Sequence, residues 1–305
     1  MKSEKRPSWQ QIRQKFPNKL YQRVFPISPI LVALEWFAGQ YFFVTARCYS
    51  CRLSFQVTAA TLALLGAWGI YQEYQSSQEE RIGRMWQIAT SPVPGNSGKI
   101  PALEFLHQRG EPLAGIGIPR SWLKGVKLEG ANLVNSNLAG ANLTEAILPK
   151  SNFYYSNLEG TDFHYAVLTD ADFSKTTLRS TAFVGASLGR ADFADIWIDG
   201  MFNEANLTDA NFKDAKFDRA FFDLSCAKSA NFTNANFAGS QWITFNGTDL
   251  SGANLTNSKG LSQLQLDQAG CAHTPPNLTG TGLTWSKEKI CDAGELSACD
   301  KLADN

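Results

Sequence analysis

A large apolar residue recurs at every fifth position from Leu123 onward, and this spacing constrains the fold more than any other feature. An α-helix repeats every 3.6 residues and a β-strand every two, so a period of five describes neither element. It predicts a repeat architecture in which each short unit makes one side of a coil. The central residues run without a miss through Leu123, Leu128, Leu133, Leu138, Leu143, Leu148, Phe153, Leu158, Phe163, Leu168, Phe173, Leu178, Phe183, Leu188, Phe193 and Ile198.

The identities of these central residues predict coils of four units. Between Phe153 and Phe193, Phe and Leu alternate strictly, so each kind returns at every tenth position. A four-sided coil then places like residues on opposite walls and stacks them along the axis, whereas a three-sided coil would mix them. A small residue two positions before each central residue can also point inward, and the Asn or Asp between them suits an outward position near a turn.

Two irregularities interrupt the period. The pattern slips by one residue at 199–201 and resumes at Phe202, and it slips again at 241–245 before Phe245. This interpretation places Trp242 in the core as the last central residue before the second slip. It gives about seven coils, and at a strand spacing of about 4.7–4.9 Å the prism is about 34 Å long.

Many of the repeated units share a small residue, an Asn or Asp and a large apolar residue in that order. Examples are Ala131-Asn132-Leu133, Ala141-Asn142-Leu143, Ala171-Asp172-Phe173, Ala205-Asn206-Leu207, Ala210-Asn211-Phe212 and Ala253-Asn254-Leu255. This unit resembles that of the pentapeptide-repeat family, commonly written A-(D/N)-L-x-x. The resemblance covers residues 121–260 and implies a mainly β fold, the right-handed quadrilateral β-helix of that family. The chain also resembles membrane-associated bacterial members, often cyanobacterial, that have an apolar N-terminal segment.

The N-terminal part has a different character. Residues 1–52 hold nine Lys and Arg against two Glu, and residues 53–72 contain no charge. As a helix, 53–72 would extend about 30 Å, the thickness of the hydrocarbon core of a bilayer. Trp68 and Tyr71 lie near one end, as interfacial aromatics do. We predict a transmembrane helix at 53–72 and a membrane as partner; a buried helix of a globular domain is the alternative.

Two membrane topologies are open. If 53–72 is the single span, the flanking charges place the N-terminus in the cytoplasm and the β-helix on the other side. The basic region also contains an apolar segment at 27–46, whose one charge is Glu35. If this segment also spans, the pair is a hairpin and the β-helix is cytoplasmic.

Helical segments are expected to close the open ends of the coils, because uncapped coils expose apolar rungs and unpaired backbone groups. Residues 73–120 are interpreted as a helical connector and N-terminal cap. Its second short helix has Pro101 early, Leu103 and Leu106 on one face, and Gly110 as its stop. Residues 261–305 are interpreted as a C-terminal cap and tail.

The cysteines form no dense disulfide framework. Cys271, Cys291 and Cys299 hold one disulfide if the C-terminus lies in an oxidising compartment, and are free thiols otherwise. The pair Cys48 and Cys51 lacks the second pair that a zinc site needs. We predict no metal site and no cofactor.

The sequence contains no recognisable catalytic motif: the three histidines, His107, His164 and His273, stand outside any nucleophile or metal motif. Some pentapeptide-repeat proteins are acidic rods that mimic DNA and occupy DNA gyrase. Residues 121–260 carry 15 acidic and 11 basic side chains, a small excess for that role, and nucleic acid is disfavoured as a partner.

The predicted function is a non-enzymatic, membrane-anchored scaffold for an unidentified protein partner, with a homo-oligomer as a further option. A DNA-mimicking gyrase inhibitor and an enzyme with an unrecognised site are the alternatives. The candidate protein-contact surface consists of aromatic residues at outward positions on different walls: Tyr154, Tyr155, Tyr165, Trp197 and Phe221.

Overall fold

The computed structural model describes residues 49–93, 98–238, 242–286, 290–291 and 298–299, and for residues 49–59 it describes the backbone alone. The predictions for residues 1–48, including the apolar segment 27–46, lie outside these residues. The chain divides after Gln78 into two compact units, each of which is described by itself.

Helix α1 (Tyr49–Ala89) runs without interruption through the segment for which a membrane span is predicted. Where side chains are described, no helix combines the length and the apolar character that crossing a membrane requires. The apolar run that is described starts at Ala60 and ends at Tyr71, because Gln72 and Glu73 follow it. The span at 53–72 is therefore not found and stays a prediction. Several large apolar side chains of this stretch are exposed: Leu62, Leu64, Leu65, Trp68, Ile70 and Tyr71.

The last turns of α1 and a second helix, α2 (Lys99–Gln108), pack on the hydrophobic core that the coils share. Leu103 and Leu106 are fully buried on one face of α2, and Gly110 follows the helix with a positive φ of 74°, so the predicted second helix and its stop are confirmed. Lys99 is buried, and its Nζ donates to the carbonyl oxygens of Ala89 and Ser91. Burial lowers the pKa of this lysine.

The coils follow as four ladders of parallel β-bridges with 20-residue steps, such as Asn132 to Asn152 and Asn137 to Asn157. We number the walls by their first central residue: wall 1 starts at Leu123, wall 2 at Leu128, wall 3 at Leu133 and wall 4 at Leu138. All four of these leucines are buried, as are the central residues that follow them. The predicted four-unit coil is thus present.

Corners of wall 3 are specified by residues of their own unit. On wall 3 the Asn or Asp before the central residue accepts a hydrogen bond from the backbone N–H two positions later, as Asn152 does from Tyr154 at 2.8 Å. This hydrogen bond favours a turn at the corner over an α-helix or a continued extended strand. Two positions after the central residue the backbone is left-handed, with φ of 59° at Tyr155. Asn135, Lys175 and Asp195 hold the same place in their coils.

The core contains two long stacks of phenylalanine rings on opposite walls, as the period of ten predicts. Neighbouring rings within a stack are nearly parallel, with centroids 4.8 Å apart for Phe173 and Phe193. Rings of the two stacks meet edge to face, at 5.8 Å for Phe183 and Phe193. The stack of wall 3 is Phe153, Phe173, Phe193, Phe212 and Phe232, and that of wall 1 is Phe163, Phe183, Phe202, Phe222 and Phe245.

At the corner between walls 4 and 1, extended chain replaces the tight turn and forms a parallel sheet with the order β1-β2-β3-β4. The strands are β1 (Leu178–Ala182), β2 (Trp197–Met201), β3 (Lys216–Phe221) and β4 (Trp242–Thr244). Both sequence slips lie in this sheet, in β2 and β4.

The slips change the length of single coils. Ser187 pairs with Asn206, so the coil that contains β2 has one residue fewer than its neighbours. Cys226 pairs with Asp249, so the coil that contains β4 has three residues more. The extra residues turn Trp242 outward, and Ile243 is buried in its place. The prediction that Trp242 belongs to the core is therefore wrong.

The coils extend past both ends of the 121–260 segment. Gly117 pairs with Asn137 at one end and Asn254 with Asn277 at the other. Between the last coils lies helix α3 (Gln263–Asp267), which begins with a capping box at Ser262.

Two disulfides brace the C-terminal region. Cys271 is bonded to Cys291. Both belong to the group of three C-terminal cysteines for which the sequence leaves one disulfide open. Cys299 is bonded to Cys226, a residue of wall 2 that lies 73 positions earlier. Cys226 occupies the outward place of its unit but is buried.

Candidate interaction surface

The five aromatic residues of the predicted contact surface lie at three separate places on the coils. Tyr154 and Tyr155 form the corner between walls 3 and 4, with ring centroids 4.5 Å apart in an edge-to-face arrangement. Tyr165 follows Phe163 at the diagonally opposite corner, between walls 1 and 2. The structure thus joins the first two tyrosines and separates them from the third.

Tyr165 is positioned by a glycine one coil further on. A Cβ atom at Gly185 would lie 2.4 Å from Cε1 of the Tyr165 ring, so the ring covers the bare backbone at that position. Gly185 also has a positive φ of 66°, which favours glycine a second time. Tyr165 remains 58% exposed above this contact.

Trp197 and Phe221 both belong to the β1–β4 sheet but face different walls. Trp197 begins β2 on wall 4, where it pairs with Lys216. Phe221 ends β3 on wall 1, where it pairs with Met201 on one side and Thr244 on the other. Trp197 and Met201 stand at opposite ends of one strand, about 13 Å apart at the usual rise per residue.

Two further residues complete an apolar surface around Phe221. Met201 is 40% exposed and Trp242 is 61% exposed, and both lie on strands that pair with β3. We call Met201, Phe221 and Trp242 the β2–β4 patch. Neither Met201 nor Trp242 is among the predicted contact residues. The slips at 199–201 and 241–245 are the signal that could have found them, because outward apolar residues and a changed coil length coincide there.

An ion pair borders the β2–β4 patch. Nη2 of Arg219 lies 2.5 Å from Oδ2 of Asp199 one strand away. Arg219 also pairs with Trp242 in the ladder between β3 and β4. The hydrogen bond to Asp199 raises the pKa of Arg219, which keeps the guanidinium charged beside the patch.

The Asp162–His164 pair on wall 1 is the arrangement nearest to acid–base chemistry. Asp162 accepts hydrogen bonds from the backbone N–H of His164 and from the ring Nδ1. Burial raises the pKa of Asp162, but these hydrogen bonds outweigh burial and leave it lowered. Within the described residues, Asp162 is the one hydrogen-bond partner of the His164 ring, so no hydroxyl or thiol nucleophile is joined to it. The described residues also contain no His, Cys, Asp and Glu cluster suited to a metal ion.

Ion pairs between successive coils give the solenoid a defined response to acid. Arg190 binds Asp170 one coil earlier through two hydrogen bonds, of 2.6 and 2.7 Å. The Arg190 hydrogen bond lowers the pKa of Asp170, and Lys175 does the same for Asp195. A carboxyl whose pKa is lower in the folded chain stabilises it above the unfolded pKa, and this contribution is lost as pH falls through the folded pKa.

We therefore expect the melting temperature to fall as pH decreases from about 5 to about 2.5. In Asp170→Asn this fall should be smaller, because one carboxyl with a lowered pKa is removed. Asp218→Asn is the control, since Asp218 forms no ion pair among the described residues. Thermal unfolding followed by circular dichroism at several pH values measures the effect. An equal decrease in melting temperature for the wild type and Asp170→Asn would contradict the prediction.

The ladders, ring stacks and flat outer walls define a parallel β-solenoid, a repeat protein that offers surfaces rather than a deep cleft. The family comparison names the kind of solenoid. A family model described as Pentapeptide repeats matches eight copies over residues 123–154, 156–195 and 205–241. Over these residues the chain is similar to the pentapeptide-repeat family.

Solved structures of the same kind resemble the chain at low identity. HetL, a pentapeptide repeat protein involved in heterocyst differentiation regulation from the cyanobacterium Nostoc sp. strain PCC 7120, is 20% identical with a TM-score of 0.29; the match covers 63% of this chain and 99% of HetL. QnrB1, a plasmid-mediated fluoroquinolone resistance protein, is 18% identical with a TM-score of 0.25, over 56% of this chain and 84% of QnrB1. Such low scores say nothing about function. No curated protein matches the sequence.

Proposed function

We propose that the protein is a non-enzymatic scaffold that binds a protein partner through the β2–β4 patch. The observation that carries this proposal is an apolar cluster on adjacent strands of the one sheet that the described coils form: exposed Met201, half-buried Phe221 and exposed Trp242. Elsewhere the regular units place Asn, Asp or Thr at most outward positions, so this concentration of large apolar side chains is local.

The chemistry of the patch suits a protein rather than a small molecule. Trp, Phe, Met and Arg are enriched at protein interfaces, and a polar rim around an apolar centre is their usual anatomy. The Arg219–Asp199 pair supplies such a rim at one edge. A small-molecule site is normally concave, whereas these three side chains lie on the outer face of the sheet.

The setting we propose for this scaffold is the outer side of a membrane, with α1 as the anchor. The exposed apolar side chains of α1, among them Leu64, Leu65 and Trp68, support contact with lipid. The two disulfides support an oxidising compartment for the coils, since such bonds are rare in the cytosol. Of the two predicted topologies, this favours a single pass with a cytoplasmic N-terminus over the hairpin.

A DNA-mimicking function receives less support from the surface charges. A mimic of DNA needs a continuous acidic surface, because phosphates set the affinity of DNA-binding proteins. Here basic residues sit in the same ladders as acidic ones and pair with them, as Arg190 does with Asp170 and Lys175 with Asp195. Purified protein is expected to leave gyrase supercoiling unchanged.

The patch proposal is tested by photo-crosslinking in cells of the source organism. A photoreactive phenylalanine analogue replaces Trp242 in one variant and Tyr165 in a matched control, since both side chains are about 60% exposed. We expect a discrete protein adduct from position 242 that disappears when Phe221→Asp is added. An adduct of twice the chain mass would identify a homo-oligomer as the partner. The same adducts from both positions, or indifference to Phe221→Asp, would refute the patch.

The setting is tested separately by membrane fractionation with a protease-accessible C-terminal tag. We expect the protein in the membrane fraction and the tag to be cleaved once the outer cell layers are removed. Recovery in the soluble fraction would refute the anchor, and a protected tag would support the hairpin instead.

A further inference from the structure

A polar groove runs along the corner between walls 3 and 4. It has a volume of about 750 Å³ and spans several successive coils. One side is a ladder of corner residues, and the other is the outward ladder of wall 4. The lining residues are Asp195, Asp214, Asn234, Asn257 and Gly280 on the corner side, and Lys216, Asn236 and Lys259 on the wall side.

The corner side of the groove is a row of carboxylate and amide groups. Nδ2 of Asn234 donates to Oδ1 of Asp214 at 3.0 Å, and Nδ2 of Asn257 donates to Oδ1 of Asn234 at 3.4 Å. Gly280 ends the row, because a Cβ atom there would lie 2.2 Å from Oδ1 of Asn257. These hydrogen bonds link successive corner side chains along a line parallel to the solenoid axis.

The wall side adds two positive charges. Lys216 pairs with Asn236 in the wall 4 ladder, and Asn236 pairs with Lys259. Neither lysine takes part in an ion pair among the described residues. Their ammonium groups are hydrogen-bond donors, and both lysines line the groove together with the corner residues. Two lysines and two aspartates leave the groove without net charge.

Trp197 stands at one end of this groove. It is the ladder neighbour of Lys216, one coil closer to the N-terminus, and it is 63% exposed. The groove therefore combines a flat aromatic surface with a line of hydrogen-bonding groups. Aromatic surfaces of this kind pack against the apolar faces of rings while polar neighbours fix their orientation.

These features point to a neutral, hydroxyl-rich chain as the ligand. A nucleic acid needs a surplus of positive charge, and the lining of the groove has two lysines against two aspartates. An extended peptide advances 3.2–3.4 Å per residue and falls out of step with coils that repeat at about 4.8 Å. A β-1,4-linked sugar chain is extended and advances per sugar by close to the strand spacing, so successive sugars can lie over successive coils.

We propose that the groove between Trp197 and Gly280 binds a β-1,4-linked glycan. Trp197 stacks on one sugar ring, and the corner and wall ladders hydrogen-bond to the hydroxyl groups of the sugars that follow. This proposal is independent of the β2–β4 patch, because the two surfaces share no residue.

Isothermal titration of the full-length protein in mild detergent with cellohexaose, chitohexaose and mannohexaose tests the proposal. We expect at least one of these β-linked hexasaccharides to bind with a Kd of about 1 mM or tighter. Trp197→Ala should weaken this binding about tenfold, which is the loss of one stacking contact. The substitution leaves the fold intact because the side chain is exposed.

Two controls make the test decisive. Trp122→Ala removes another tryptophan of similar exposure, 65%, on wall 1 and should leave binding unchanged. Maltohexaose, whose α-linked chain curls and cannot follow the ladders, should bind more weakly than the best β-linked sugar. Absence of binding by all three β-linked sugars at about 10 mM, or equal losses in the two tryptophan variants, would overturn the proposal.

Discussion

Phe193→Ala is expected to lower the free energy of unfolding by about 3–5 kcal/mol. Phe193 lies in the middle of the wall 3 stack, with parallel rings at 4.8 and 4.9 Å from Phe173 and Phe212. Its ring also meets Phe183 and Phe202 of the opposite stack edge to face. Truncation removes all four ring contacts and leaves a cavity between coils that cannot collapse without breaking their ladders.

Phe193→Leu is the matched control for this substitution. Leucine is the central residue of the neighbouring walls, so it suits the backbone and refills most of the space; we expect a loss of about 1 kcal/mol. Urea unfolding followed by circular dichroism measures both variants. Similar small losses in the two variants would show that the ring stacks do not govern stability.

Loss of the bond between Cys226 and Cys299 is expected to cost about 3–4 kcal/mol. The bond closes a loop of 73 residues, and the entropy that a cross-link removes from the unfolded chain grows with loop length. Cys226→Ser and Cys299→Ser should be destabilised equally, and the double variant no further, because either change opens the same loop. Urea unfolding without reductant measures the loss.

Cys271→Ser provides the comparison for the disulfide prediction. The Cys271–Cys291 bond closes only 20 residues, so its loss should cost about 1 kcal/mol less than that of the longer loop. Limited proteolysis should in addition cut the C-terminal region of Cys226→Ser earlier than that of the wild type. Unequal losses in Cys226→Ser and Cys299→Ser would show that the two cysteines are not joined in solution.

The regular part of the fold could be predicted from the sequence because every coil repeats the same local interactions. A central Phe or Leu at each fifth position determines the walls, and the period of ten determines which walls carry the ring stacks. The turns are also local, since an Asn such as Asn152 bonds to the backbone two residues later. None of this depends on contacts between distant parts of the chain.

The remaining features depend on where the period fails or on contacts that the repeat does not encode. The pattern predicts a core position for Trp242 because it continues up to that residue, but three inserted residues turn the side chain outward. Cys226 occupies a position that the repeat normally gives to Asn or Asp. The five-residue spacing therefore does not predict its bond to Cys299. The groove beside Trp197 could have been found by comparing outward residues 20 positions apart.

The 20-residue step of the coils has a consequence for how such a chain can evolve. Each coil contacts mainly the coil before and the coil after it, so a duplicated coil would meet the same neighbours as its parent. The number of coils between α2 and the β2–β4 patch therefore sets the distance between them, in steps of about 4.8 Å. Gain or loss of whole coils would change the distance between α2 and the patch without altering the chemistry of the patch. An insertion or deletion of any other length has to be accommodated by a local change of strand, as the deletion at β2 and the insertion at β4 are.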